Sequence, residues 1–216
     1  MKSYAVIGLG RFGTQLATRL CELGNEVLVI DVVQANVDEI ADRVTRAVCA
    51  NAKEKDVLKS LGVADCDVAV VAMGGDLASS VLITMNLKTL GVKEIICKAY
   101  DETHRMILEK LGADSVIIPE QIVADKIART ITASNILEYI ELSDDYGVVE
   151  YKVPAPWVGK SIRELNIRAK HNVNIIAVKE NDRITVSPSA DYKPAADDTL
   201  VLLGEYKALE RIRRIK

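Results

Sequence analysis

Histidine is scarce in this chain: His104 and His171 are the only two, and neither stands in a recognisable acid–base pattern. The sequence also lacks GxSxG, GxxxxGK[ST] and HExxH, so it has no nucleophile elbow, phosphate-loop lysine or zinc-protease helix. A Tyr-x-x-x-Lys pair on a helix, which a short-chain reductase would carry, is missing too. The expectation is a binding protein, not an enzyme. No excess of basic charge is present: the formal net charge is −3 and the pI is near 5.6, which leaves no electrostatic footprint for a nucleic acid polymer. The longest apolar runs, such as Val68–Met73 and Asn174–Val178, are strand-sized, far short of the roughly 20 residues that cross a bilayer. Cys21, Cys49, Cys66 and Cys97 show no CxxC or Cys/His spacing and sit in apolar stretches, so they read as reduced core thiols. Met1–Tyr4 leads straight into a strand without a signal-peptide pattern. A cytosolic chain, folded throughout, is expected.

The first two-thirds of the chain alternates short apolar runs with helical patterns. Candidate strands are Ser3–Gly8, Glu26–Asp31, Arg46–Ala50, Val68–Met73, Glu94–Lys98 and Ser115–Ile118. Between them lie 3.6-residue periodicities closed by glycine: Phe12, Leu16, Leu20 and Leu23 before Gly24; Leu77, Val81, Leu82, Met85 and Leu90 before Gly91; Met106, Ile107, Leu108 and Leu111 before Gly112, with Asp101 as N-cap. Such alternation predicts βαβ units and a Rossmann-like, doubly wound parallel sheet. The pattern changes after Pro119. Residues 120 to about 141 read as one amphipathic crossover helix, with Ile122, Val123, Ile127, Ile131, Ile136 and Leu137 on its apolar face. Asp144-Asp145-Tyr146-Gly147 is turn-forming and reads as a domain junction. Domains are thus expected at 1–143 and 144–216. The second is a small α+β module, with strands at 148–153, 174–179, 183–186 and 199–203, a short helix at 160–170, and a C-terminal helix.

The chemistry sits at the first strand-to-helix turn. Gly8-Leu9-Gly10-Arg11-Phe12-Gly13 follows a strand and opens a helix, the context a dinucleotide fingerprint needs. Gly8 suits the tight turn, Gly10 the approach of backbone to phosphate, and Gly13 the packing of helix on strand. The helix N-terminus then attracts phosphate. Asp31 ends the second strand, eighteen positions after Gly13; it suits both ribose hydroxyls and repels a 2′-phosphate. Adenine-nucleotide binding is expected, with NADP disfavoured. Arg11 places a guanidinium where a terminal phosphate would use it.

Gly-Leu-Gly-Arg-Phe-Gly, Cys49-Ala-Asn51-Ala52, Ala72-Met73-Gly74, Lys98-Ala99-Tyr100, and Leu108–Asp114 followed by Ile117-Ile118-Pro119-Glu120 together resemble the regulator-of-potassium-conductance (RCK) family. The similarity is to its Ktr-type cytosolic subunit and continues through Asn135–Ser143 to the end of the chain. It implies RCK_N and RCK_C domains, dimers assembling into an octameric ring, and peripheral attachment to a membrane potassium-channel subunit, whose K+ flux ATP and ADP control. By position, the resemblance assigns Gly8, Gly10, Arg11, Phe12 and Gly13 to phosphates and Asp31 to ribose. It assigns Asn51, Ala52, Met73 and Gly74 to the adenosine, Lys98 and Glu120 to the phosphate end, and His104 to the nucleotide region. Glu120 would also help bind a cation such as Mg2+, Ca2+ or Na+ between neighbouring nucleotides. Lys53 departs from the threonine common in the family. In the second module the resemblance implies a cyclic di-AMP cleft at a two-fold axis, formed by Ile162, Asn166, Arg168, Asn174, Ile175, Ile176 and Pro188. Trk-type relatives of the same architecture sense NAD(H), which Asp31 accommodates equally well.

Overall fold

A computed structural model describes residues 1–132, 136–143, 145–181, 183–213 and 215. Asp144 of the expected junction, and Asn135 of the stretch that carries the family resemblance, lie outside the described residues.

The first unit, Met1–Gln121, holds β1 (Ser3–Ile7), α1 (Arg11–Glu22), β2 (Glu26–Asp31), α2 (Gln34–Ile40), β3 (Arg46–Cys49), α3 (Lys55–Ser60), β4 (Val68–Val71), α4 (Leu77–Leu90), β5 (Glu94–Lys98), α5 (Glu102–Lys110) and β6 (Ser115–Ile117). The six strands form a parallel sheet in the order β3-β2-β1-β4-β5-β6, as the βαβ pattern predicts. Period-two alternation distributes each strand between two cores. Ala5, Ile7, Leu28, Ile30, Ala69 and Val71 pack with Ile83 and Leu87 of α4 and Leu108 of α5. Val6, Val27, Val29, Val68 and Val70 pack with Ala17 of α1 and Val37 and Ile40 of α2. Each of the valines, leucines and isoleucines among them contributes roughly 1.5–3 kcal/mol on burial. Asp67 ties the two central strands together at their start, its Oδ2 accepting from the Ser3 N–H at 3.0 Å and the Ser3 hydroxyl at 3.2 Å.

The glycine stops fall where periodicity places them; α4 ends on Gly91, at φ 79°, a left-handed cap that costs glycine no Cβ clash. The face of α4 differs from the expectation. Leu77, Leu82 and Met85 are exposed, whereas Ser79, Ser80, Ile83, Thr84 and Leu87 face the core. Hydroxyls tolerate that burial because the helix backbone accepts from them: Ser80 donates to the Leu77 carbonyl and Thr84 to that of Ser80. Of the four thiols, Cys66 and Cys97 are buried, but Cys49 is exposed and Cys21 half-buried. The reading of all four as core residues is therefore corrected. Burial pushes the Cys97 thiol up to about 11.

Helix α6 spans Pro119–Thr132 and ends well before residue 141; Ile136–Glu141 is instead a strand, β7. The expected long crossover helix is thus shorter by its last third. Strand β7 pairs antiparallel with β8 (Tyr146–Lys152), so it belongs to the second unit, Ile122–Lys216. That unit continues with α7 (Ile162–Leu165), α8 (Ile167–His171), β9 (Val173–Glu180), β10 (Arg183–Val186), β11 (Thr199–Glu205) and α9 (Tyr206–Arg213). Its sheet is antiparallel, in the order β10-β9-β11-β8-β7. The single helix expected at 160–170 is two, broken where Asn166 adopts φ 47°, a left-handed conformation asparagine tolerates. Its core gathers Val149, Tyr151, Trp157, Leu165, Val173, Leu200, Leu202, Leu209 and Ile212, and the Tyr151 hydroxyl donates to the Ile212 carbonyl at 2.9 Å.

Candidate functional site

The turn from β1 into α1 is held by two glycines that nothing larger replaces. Gly8 sits at φ 97°, and a Cβ there would lie 2.8 Å from Met73 Cγ. At Gly13 a Cβ would lie 1.9 Å from the Gly8 carbonyl oxygen, so α1 can approach β1 this closely only without a side chain. Above Gly10 the space is open, with nothing within 4 Å of a Cβ position. Gly10 is the N-cap of α1 and offers no side-chain hydrogen bond, and the first turn carries no acid. The amides of Arg11, Phe12 and Gly13 therefore face outward without an intrahelical acceptor, in the arrangement that receives an anion.

Asp31 closes β2 beside this turn. Its Oδ2 accepts from the Leu9 N–H at 2.6 Å and its Oδ1 from the Val33 N–H at 2.8 Å. The carboxylate thus fixes the glycine loop to the end of β2 and retains lone pairs for further donors. A cleft opens here at the carboxyl ends of the strands, where β1 and β4 send their chains to opposite faces; this is the switch point at which such sheets bind ligands. Its lining includes Gly8, Asp31, Asn51, Ala52 and Met73, five of the residues expected from sequence. Sequence reasoning missed Val32, Asp76, Ser79 and Ile83 in the same lining. Asp76 had a signal: it caps α4, accepting from the Ser79 N–H at 3.0 Å, as an Asp before a helical run does. Lys53 also lines the cleft.

Gly10, Arg11, Phe12, Gly13, Gly74, Lys98 and Glu120 stand outside that lining. Lys98 gathers several of them. Its Nζ lies 2.7 Å from Glu120 Oε1 and 5.7 Å from the centre of the Phe12 ring, and its stem runs so close to Gly74 that a Cβ there would lie 3.0 Å from Cε. The Lys98 ammonium holds the Glu120 carboxyl below the usual carboxylate range, with a smaller contribution from Arg11. Among the described residues no cluster of three His, Cys, Asp or Glu side chains is placed to hold a metal. Glu120 therefore offers a single carboxylate, already paired with Lys98. His104 is neither at the surface nor in the lining: it is fully buried, its Nε2 2.7 Å from the Ser80 hydroxyl.

In the second unit a cleft is lined by Ile162, Asn166, Arg168, Asn174, Ile175 and Pro188, together with Arg163, Ile167 and Val173. Six of the seven expected residues meet there. Ile176 does not; it lies where the register of β9 against β11 shifts between Ile175 and Ala177, a bulge that redirects its side chain. Arg163 is committed to Asp191 at 3.1 Å, whereas no carboxylate pairs with Arg168 among the described residues.

A parallel sheet ending in a glycine turn, an uncapped helix and an acid on the neighbouring strand defines a Rossmann-type ligand-binding protein, here followed by a small antiparallel α+β module. The chain matches the TrkA-N domain over residues 4–119 and the TrkA-C domain over residues 148–216. It is 40% identical over 210 residues to the Ktr system potassium uptake protein A of Bacillus subtilis, covering 97% of this chain and 95% of that protein. To Ktr system potassium uptake protein C of the same organism it is 37% identical over 213 residues, 99% and 96% of the two chains. Among solved structures, the GsuK channel bound to NAD superposes with a TM-score of 0.68 at 19% identity over 99% of this chain and 39% of that one, a likeness of fold. The chain belongs to the TrkA-N family, with a TrkA-C domain following, and is similar along its length to the Ktr potassium-uptake proteins.

Proposed function

We propose that this chain is the nucleotide-sensing regulatory subunit of a potassium-uptake system, binding ATP or ADP in the first unit and cyclic di-AMP in the second. It would control K+ flux through a membrane channel partner from the cytoplasmic face. Family membership supports the role in potassium uptake. The observation that carries nucleotide binding is the meeting of the Asp31 carboxylate, the outward amides of α1 and the open space over Gly10 at one end of the sheet. Phosphates resting on those amides would reach Arg11 and Lys98. Lys98 would then exchange Glu120 for phosphate, freeing that carboxylate to share a cation with the phosphates or with a neighbouring subunit. Self-association into a ring is supported by the exposed Ile122, Val123, Ile127 and Ile131 of α6, an apolar stripe of the kind that marks an interface. Coupling to a channel requires only that each ligand prefer one of two shapes.

A thermal-melt series with ATP, ADP, NADH, NAD and cyclic di-AMP tests this reading. A ligand at about a hundred times its Kd adds roughly 2.7 kcal/mol, and each kcal/mol moves the midpoint of a protein of this size by about 2–4 °C. Shifts with ATP and ADP, and a separate one with cyclic di-AMP, are expected. A shift with NADH alone would replace the ATP/ADP reading by that of an NAD(H)-sensing, Trk-type regulator. Arg168→Ala is expected to abolish the cyclic di-AMP shift and leave the ATP shift intact, because its guanidinium, which no carboxylate pairs with among the described residues, would hold the phosphate. Loss of both shifts would contradict two separate sites.

A further inference from the structure

His104 is a fully buried ionisable side chain that the nucleotide reading leaves unused. Both His104 and Ser80 have no solvent exposure. The donor inventory, together with the cost of burying an N–H at Nδ1 with no acceptor, assigns the tautomer. The Ser80 hydroxyl donates its one proton to the Leu77 carbonyl at 3.0 Å, so at 2.7 Å from His104 Nε2 it accepts. Nε2 therefore carries the hydrogen, and Nδ1 is a bare lone pair. Nδ1 is buried and has no partner among the described residues. The neutral ring tolerates this; an imidazolium would bury a charge and an unmatched N–H.

The surroundings give little relief. From α4 the ring meets the Ser80 hydroxyl, with Thr84 one turn further on bonded to the Ser80 carbonyl. Strand β6, which packs on α5, supplies only Ser115, Val116 and Ile117. Asp114 before it is committed to the Ile95 N–H and to Lys88. Tyr100 lies 4.9 Å away between ring centres. On α5 itself Glu102 and Glu109 are paired with Arg105 at the surface. Asp101 is the charge that favours the imidazolium, but burial outweighs it and pushes the His104 pKa down.

Ser80 does not itself line the cleft but lies directly behind its wall, in the first turn of α4. Its neighbour Ser79, the cap Asp76 and Ile83 one turn on all line that cavity. We propose that His104 is a positioning residue for the nucleotide cleft: its Nε2–H holds the first turn of α4 in the ligand-competent place, and proton uptake at Nδ1 releases that turn. This rests on the reading that the cleft takes a nucleotide. Taking up a proton requires water or an acceptor at Nδ1, hence a parting of α5 from α4. The sign follows from the lowered pKa: the closed seam is fully favoured above the ordinary histidine value of about 6.5 and is lost as pH falls below it, by at most about tenfold per pH unit. The other histidine, His171, lies in the second unit.

The test is the affinity for ADP, by calorimetry on the intact chain, at about pH 7.5 and about pH 5.5, in wild type, His104→Ala and His104→Gln. Comparison at each pH between wild type and variant cancels titration of the ligand's own phosphates. Glutamine places an amide N–H where Nε2–H stands and does not titrate. His104→Ala is expected to weaken ADP, and His104→Gln to restore most of that loss at the higher pH. Wild type is expected to lose roughly threefold or more affinity relative to His104→Gln on acidification. Parallel pH profiles for wild type and His104→Gln would overturn the proposal. The nucleotide-free protein supplies an independent reading by NMR: the Ile83 methyl and Ser79 amide signals should move with the same midpoint as the His104 ring. If ADP fails to bind at any pH but these signals move together, the nucleotide assignment falls and the proton-linked seam stands. If the ring titrates and Ile83 and Ser79 stay still, the seam does not move the cleft wall, and the proposal is overturned whatever ADP does.

Discussion

Gly13→Ala is expected to lower the stability of the chain by about 3 kcal/mol and to abolish the stabilisation given by ATP or ADP. The new methyl group would sit 1.9 Å from the Gly8 carbonyl oxygen and 3.1 Å from Ala72 Cβ. Neither obstacle is the flexible end of a side chain, so α1 must back away from β1. Overpacking of this kind costs about 1–3 kcal/mol, and the backbone contact places this case at the upper end. Moving α1 also moves the three outward amides away from the end of β1. Urea denaturation without ligand reads the first effect, and the ligand-induced shift in melting temperature reads the second. Gly10→Ala is the control: its methyl group enters open space, so stability should stay close to wild type while phosphate is crowded out. If Gly10→Ala binds ATP as well as wild type does, phosphates do not rest on this turn.

Asp31→Asn is expected to cost about 1–3 kcal/mol of stability in the absence of any nucleotide, and more in binding. Each carboxylate oxygen receives its own backbone donor, Leu9 at 2.6 Å and Val33 at 2.8 Å. An asparagine of the same shape has one acceptor, so one of those amides meets an NH2 group. The ribose loses an anionic acceptor as well, and affinity for ADP should fall about tenfold or more, one hydrogen bond to a charged group contributing roughly 1.5–3 kcal/mol. Denaturation and calorimetry separate the two effects. An unchanged denaturation midpoint would show that the carboxylate does not hold the glycine loop.

Where structure is decided by neighbours in the chain, the sequence is a good guide. The glycine turn, the C-cap at Gly91 and the acid at the end of β2 all depend on local backbone chemistry, and they stand where the pattern places them. The first cleft is legible as far as Gly8, Asp31 and the Asn51–Ala52 and Met73 positions. It is not legible where α4 contributes, because Leu77, Leu82 and Met85 advertise the wrong face while Ser79, Ser80 and Thr84 satisfy their hydroxyls within the fold. A buried polar face has no periodic signal. The 136–141 segment continues an apolar helical spacing past residue 132, yet its partner β8 lies across a turn, and pairing with it overrides local propensity. The bulge at Ile176 is a similar case, set by tertiary fit with no mark in residue type, whereas the break at Asn166 carries only the weak mark of an asparagine, which tolerates the left-handed conformation.

The position of β1 has a consequence for the order of events in folding. Its neighbours are β2, next in the chain, and β4, whose pairing begins with Tyr4 against Val68. A hydrogen-bonded β1–β2–β3 ribbon can form from local segments, but the cleft needs Met73 and the start of α4, and so cannot exist until the distant strand has docked. Contacts that span such a separation are formed slowly. A nucleotide held in that cleft would therefore find no purchase on early folding intermediates and would act almost entirely on the return path, lengthening the life of the folded chain by slowing its unfolding while leaving the rate of folding nearly unchanged.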